Sequence, residues 1–438
     1  MATTAVNLAR REWGWGPAAA VVKSFLWPLQ VVVSFQSLLF FGALGAMLLR
    51  PPNVDFFPID RLLFGLLVVS VLSGTVLRRQ AIQIRRASWP MLALTGIALA
   101  SVVTQSYDNE VWSLLAGKFI VPFALFHLAQ QVFTKEGDYR RFEVFSLVVL
   151  AYLSFTSIAF LVGAKSLIFP RFILDESLGH HADRARGPLL QAVANGVSLN
   201  LLALITLHAY RRNSIHGVKA ALVLLSVPVA ILATMTRAVW LAFAGTVVAC
   251  IVLSKSRRMR QAGLGLVILA GAGLGVSLCV GRFGETVSDR LEERSPVEYR
   301  QAVYAGGWQM FLQHPLTGWG FHSMPAELPR FVGGYQEKEL YPHNTYLELL
   351  VEHGLIGLAL YLWLMWEMFR LGRSSIPDGE RHCFLNRDFH RLWLVLLAVY
   401  YVNAAVAVMS YQFVNGLLYS MAGMLAAQRE RTELSRLC

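Results

Sequence analysis

Residues 142–163 read FEVFSLVVLAYLSFTSIAFLVG, directly after the pair Arg140 and Arg141, and hold one charged residue, Glu143. A helix needs about 20 predominantly apolar residues to cross a hydrocarbon core about 30 Å thick. In lipid every backbone N–H and C=O must be satisfied within the protein, so a run of this kind is helical. Similar runs recur along the chain. Reading them against breakers predicts spans at 28–49, 61–77, 89–106, 111–133, 142–163, 189–209, 218–234, 238–254, 262–280, 345–369, 390–408 and 410–427. Short basic clusters lie between them: Arg78, Arg79, Arg85 and Arg86; Arg140 and Arg141; Arg211 and Arg212; Arg257, Arg258 and Arg260. Cytoplasmic loops carry such an excess of Lys and Arg. With Arg10 and Arg11 inside, the loops around 78–87, 134–141, 210–219, 254–261 and 370–389, and the tail from Arg429, are also inside. The expected fold is an all-α polytopic membrane protein, a single transmembrane domain over 1–438 with about 12 transmembrane helices.

Composition agrees with this and excludes other classes. The 438 residues are 55% hydrophobic and only 15% charged, where soluble domains carry roughly a quarter charged residues. The mean hydropathy is +0.50. The net charge of +12, from 39 Lys+Arg against 27 Asp+Glu, is distributed in inter-span clusters, which argues against nucleic acid as a partner. Of the four cysteines, Cys250 and Cys279 fall in apolar runs, Cys383 in a basic loop and Cys438 at the end. That spacing gives neither a disulfide framework nor a metal cluster. The N-terminal segment lacks a compact signal-peptide pattern and is expected to be retained.

Two longer segments fall on the opposite face, 164–188 and 281–344. Loops of the second's length are usually functional or disordered. This one holds Trp308, Trp319 and an amphipathic stretch near 298–313, which predicts a partly helical cap. Outer-face arginines are what the inside bias leaves unexplained. Arg184 and Arg186 end the first segment, Arg237 sits between two apolar runs in ATMTRAVWLAF, and Arg282, Arg290, Arg294 and Arg300 lie in the second. Arginine near membrane depth faces a cavity or partner, and its planar fork suits phosphate oxygens. Arg282, Arg290 and Arg294 have Glu285, Asp289, Glu292 and Glu293 beside them and read as local pairs. Arg237 has no acid near it along the chain.

The stretch YPHNTYLELLVEHGLIG, residues 341–357, opens the tenth span. Pro342 discourages helix before it, and Thr345 with Glu348 is expected to form a capping box. His343 then lies just outside a helix N-terminus, neutral and able to accept a proton near pH 7. In HPLTGWGFHS, residues 314–323, Pro315, Gly318 and Gly320 read as a turn, with only a weak echo of phosphate-binding loops.

Taken together these residues resemble the O-antigen ligase and polymerase superfamily of bacterial inner membranes. His343-Asn344-x-x-Leu347-x-x-Leu350-x-Glu352-x-Gly354-x-x-Gly357 is similar to that family's most recognisable motif. Arg300 followed by Trp308, Pro315, Gly318 and Gly320 resembles its Arg…Trp…Pro-x-x-Gly-x-Gly pattern. Arg186-Gly187 with Asn195-Gly196 resembles its first outer-loop motif, and Arg237 its arginine between two spans. The resemblance covers roughly 180–370; the flanking helices match only in hydropathy. It implies a GT-C-like glycosyltransferase with no cofactor and no metal, its site on the periplasmic face, embedded in the phospholipid bilayer with both termini cytoplasmic. The implied donor is O-antigen on undecaprenyl pyrophosphate, and the acceptor a sugar hydroxyl of lipid A–core. The resemblance implies His343 as general base, Arg186, Arg237 and Arg300 on the pyrophosphate, and Asn344, Glu348 and Glu352 in support. Inversion at the anomeric carbon follows from in-line attack.

Two other readings remain at this point. A polymerase of the same superfamily uses the same donor with a lipid-linked glycan as acceptor; the long second outer loop before the His motif, and no large soluble C-terminal extension, favour the ligase. A transporter of lipid-linked glycans suits the hydropathy equally. Against it stand the lack of an inverted repeat or a matched pair of broken helices, and the scarcity of mid-span charge, Lys118 excepted.

Overall fold

The structure is a computed structural model that describes residues 35–51, 58–77, 84–179, 181–253, 295–333, 340–373 and 383–437. Within these, the chain is all-helical, with no strand among the described residues. The helices are α1 (Gln36–Leu48), α2 (Pro58–Leu77), α3 (Ser88–Val103), α4 (Asn109–Val132), α5 (Glu136–Leu161) and α6 (Ala192–Arg211), followed by α7 (Val218–Ala233) and α8 (Arg237–Leu253). After them come α9 (Ser295–Gln313), α10 (Thr345–Leu371), α11 (Arg387–Ala404) and α12 (Gln412–Leu437). Every expected span overlies one of these helices except 262–280, which lies outside the described residues, as do Arg282, Arg290 and Arg294. Five helices (α2, α4, α5, α6 and α10) are long and apolar enough to cross a membrane, and α1, α3, α7 and α8 are shorter apolar helices. The molecule is a polytopic membrane protein.

The bundle centres on α12 and the second half of α4. From Phe413 to Ala427 α12 is buried on every side, as a helix apolar all round must be. Small residues let the two backbones meet: a Cβ on Gly423 would fall 2.2 Å from the Phe126 carbonyl oxygen. Close approach of this kind is how helices gain packing where lipid offers no hydrophobic drive. Trp393 of α11, 0% exposed, donates its indole N–H to Met368 O of α10 at 2.8 Å.

Polar ties staple the ends. Arg212, just past α6, reaches Glu143 of α5 at 2.6 Å and Glu136 at 2.5 Å, and the Ser214 hydroxyl bonds Glu143 as well. A single charge inside the 142–163 run is therefore a partner for the following basic loop. At the other end Asn195 of α6 donates to Ser157 of α5 at 3.0 Å and to Ala185 O at 2.9 Å. Gly196 lies where any Cβ would overlap Val239 of α8 at 2.3 Å. Asn195-Gly196 is thus a packing point between α5, α6 and α8.

The 281–344 segment is partly helical where described. The stretch expected to be amphipathic is α9, joined to a helical turn at Met324–Glu327 and a 3-10 turn at Leu328–Phe331. Val303, Met310, Phe311, Met324 and Leu328 form a small apolar cluster of their own, closed by Val351 of α10.

Candidate functional site

The site begins with a broken helix. Gly354 sits in α10 with φ +63° and ψ −164°, so the helical ladder stops and restarts there. Backbone groups freed inside a helix long and apolar enough to cross a membrane must find other partners. They find them in the stretch 315–320. Trp319 N–H donates to Val351 O and Gly320 N–H to Glu352 O, both at 2.9 Å. In return Leu355 N–H donates to Pro315 O at 2.9 Å and Ile356 N–H to Leu316 O at 3.3 Å. The two strands of backbone approach so closely that only glycine fits. A Cβ on Gly318 (φ +73°) would fall 2.4 Å from Glu352 O, and one on Gly354 2.3 Å from Leu316 O. Pro315, Gly318 and Gly320 therefore serve the break rather than a phosphate. What reads as two motifs in the sequence is one joint.

That joint and the start of α10 frame a polar cleft of about 270 Å³, whose lining includes Lys118, Gln191, Tyr341, His343, Glu348 and Glu352. His343 adopts φ +46° immediately before the helix, outside its N-terminus as expected. The capping box expected at Thr345 and Glu348 does not form. Asn344 is the cap: its side-chain oxygen accepts from Tyr346 N–H at 2.9 Å and Leu347 N–H at 3.1 Å. Thr345 instead ties the helix to the loop before α12, donating to Ala407 O and accepting from Met409 N–H, both at 2.9 Å. The ring of Tyr299, in α9, lies 6.0 Å from that of His343, and its hydroxyl donates to Tyr341 O at 3.3 Å.

Glu348 is free of capping because Lys118 takes it. The Lys118 ammonium lies 2.5 Å from Glu348 Oε2, the two side chains 7% and 12% exposed. Lys118 sits on a π-helical turn, Ala116–Ile120, within α4; such turns swing a side chain out of helical register and recur at functional sites. One turn down α10, Glu352 and His353 are 1% and 2% exposed. Phe321 stacks on the His353 ring with centroids 6.0 Å apart, and Phe119 meets it edge-on. Lys118 was legible in the sequence as a lone charge inside an apolar run, but nothing along the chain paired it with a residue 230 positions on.

The arginines are placed differently from one another. Arg186 is 1% exposed, and its guanidinium donates to Ile173 O at 3.1 Å and to the carbonyls of Asp175 and Leu178. It fastens the 164–188 loop from inside. The same loop is turned by Asp175, whose carboxylate accepts from the Ser177 amide at 3.0 Å and hydroxyl at 2.7 Å; those bonds hold the Asp175 carboxyl below its ordinary value. Arg237 is the first residue of α8 and half-buried, next to a joint where Ala185 N–H donates to Ala233 O at 3.1 Å. Arg300 is half-buried on α9, one residue from the Tyr299 that adjoins His343. None of the three arginines is among the lining residues of the cleft. The cation that lines it is Lys118.

Residues 220–362 match a family model described as O-antigen ligase. No curated protein matches the chain. The matched stretch contains Arg237, Arg300, the 315–320 segment, His343, Asn344, Glu348 and Glu352, while Lys118 and Arg186 lie upstream of it.

Proposed function

We propose, from the match of residues 220–362 to the O-antigen ligase family model, that this chain transfers O-antigen polysaccharide from undecaprenyl pyrophosphate to a sugar hydroxyl of lipid A–core at the periplasmic face of the bacterial inner membrane. The observation that carries this reading is His343, held in a left-handed turn at the head of α10 and lining a polar cleft with Glu348 and Glu352. The donor already has a good leaving group. The protein must then stabilise charge on the departing pyrophosphate and take the proton of the acceptor hydroxyl. His343 is the base. Arg237 and Arg300 receive the pyrophosphate through their planar forks, and Arg186, which donates to three carbonyls, holds the 164–188 loop in shape. Asn344 fixes the helix start that carries His343, and the Lys118–Glu348 pair locks that start to α4. Attack on the anomeric carbon opposite the pyrophosphate inverts it. Fixed cations take the place of a divalent metal.

The test is purified protein in detergent with lipid-linked O-antigen and lipid A–core. Covalent transfer at the same rate with and without EDTA is the expected result; no transfer, or transfer that needs Mg²⁺ or Mn²⁺, would overturn the reading. In cells, deletion is expected to remove long-chain lipopolysaccharide while long lipid-linked polymer accumulates. Lipopolysaccharide capped with a single repeat unit would instead mark a polymerase.

A further inference from the structure

The inner part of the cleft presents a carboxylate that the protein does not satisfy. Glu352 is 1% exposed and lines the cleft. Among the described residues neither of its carboxylate oxygens makes a hydrogen bond, although the backbone N–H groups of His322 and Met324 lie near. The Lys118 ammonium is engaged by Glu348 at 2.5 Å. A buried carboxyl group with no well-aligned donor is costly, and an apolar residue would serve packing better there. The joint at Gly354 holds the Glu352 backbone in place, since its carbonyl accepts from Gly320 N–H at 2.9 Å. Its side chain is thus presented to the cleft by a rigid backbone.

Charge decides what such a floor can take. Lys118, the one Lys or Arg among the described lining residues, is already paired with Glu348, so the cleft offers a pyrophosphate no unengaged ammonium or guanidinium and suits a neutral ligand rich in O–H donors. Phe321, Tyr341 and Tyr411 line the same space, offering ring faces for the C–H side of a sugar. About 270 Å³ accommodates a sugar ring or two rather than a polymer. His343 lines this space too, and the hydroxyl it deprotonates in the proposed reaction belongs to the acceptor.

We propose that Glu352 is the hydroxyl-binding floor of an acceptor-sugar subsite: it accepts a hydrogen bond from one hydroxyl of the acceptor ring and so turns another toward His343. This rests on the glycosyltransferase reading above. Glu352 takes no proton from the reacting hydroxyl; it binds and orients.

The experiment compares Glu352→Leu and Glu352→Ala, which both remove the hydrogen-bond acceptor, with wild type in the detergent transfer assay. It uses lipid A–core and a set of synthetic acceptors each lacking one hydroxyl of the outermost core sugar. The expected result for Glu352→Leu is an acceptor KM raised at least tenfold with the donor KM within twofold. One deoxy acceptor should lose at least tenfold in kcat/KM on wild type and no more than twofold on Glu352→Leu, because both partners of the bond are then absent. An unchanged acceptor KM, a donor KM that rises instead, or a deoxy penalty that persists in Glu352→Leu would overturn the proposal. If Glu352→Leu does not fold, the Glu352→Ala comparison decides. Saturation-transfer NMR with core oligosaccharide alone separates the two levels. Contact with wild type that is lost in Glu352→Leu supports the subsite even if no transfer is seen, which would sink only the wider function; transfer by wild type with contact undiminished in Glu352→Leu sinks only the subsite.

Discussion

At the scale of single residues, the proposed mechanism gives His343 and Glu352 different jobs on one cleft, and substitutions should tell them apart. His343→Ala is expected to abolish glycan transfer while expression and donor binding stay near wild type; transfer at the wild-type rate would remove the base. Arg237→Lys keeps the charge but loses the bidentate fork. Its rate should fall on the order of a hundredfold, the scale of losing one donor to a developing anion; activity within twofold of wild type would take Arg237 out of the leaving-group site. The glycines of the joint make a prediction about stability. Gly318→Ala and Gly354→Ala each put a Cβ against backbone at 2.4 Å and 2.3 Å, at positive φ. Each should cost more than about 1 kcal/mol, read as a lowered midpoint of thermal unfolding in detergent, whereas alanine at Gly65, which has open space around it, should not.

At the scale of elements, the broken helix and the π turn are complementary devices. Breaking α10 at Gly354 frees backbone groups, and the 315–320 segment takes them up. The π turn in α4 turns Lys118 toward the first turn of α10, where Glu348 meets it. Removing one member of a buried ion pair leaves an uncompensated charge and costs roughly 3–5 kcal/mol, while removing both is far milder. Lys118→Met alone is therefore expected to destabilise strongly, and Lys118→Met with Glu348→Gln to recover most of that loss. The check is a double-mutant cycle on unfolding midpoints; additive effects would mean the two side chains do not share an interaction.

At the scale of the whole molecule, the arrangement joins an apolar bundle, centred on α12 and α4, to a polar cleft near one end of α10. The 164–188 loop is pinned by Arg186, and the described part of the 281–344 segment is packed on α10 through Val351. If the basic loops face the cytoplasm, cysteines introduced at Lys165 and Arg330 should react with an impermeant maleimide in intact cells. Cysteines at Arg140 or Arg211 should react only after permeabilisation. The reverse pattern would invert the topology and take the cleft away from the periplasm.

Much of the architecture is carried by local properties of the chain. Length and apolarity of each run define the helices, because lipid leaves the backbone no other way to satisfy itself. The amphipathic stretch that becomes α9 and the position of His343 just ahead of a helix were likewise readable from neighbours in sequence. Tertiary structure decided the partners. Glu348 was read as part of a capping box because Thr345 lies three residues before it, yet a lysine 230 residues away competes for it and Asn344 caps instead. Gly318 and Gly354 lie in separate motifs, and only their contact explains either. Arg186 and Arg237 look alike as outer arginines; one is buried among carbonyls and the other half-buried at a helix start. A side chain's role at long range depends on which groups folding brings within bonding distance, and no period or spacing along one chain encodes that distance.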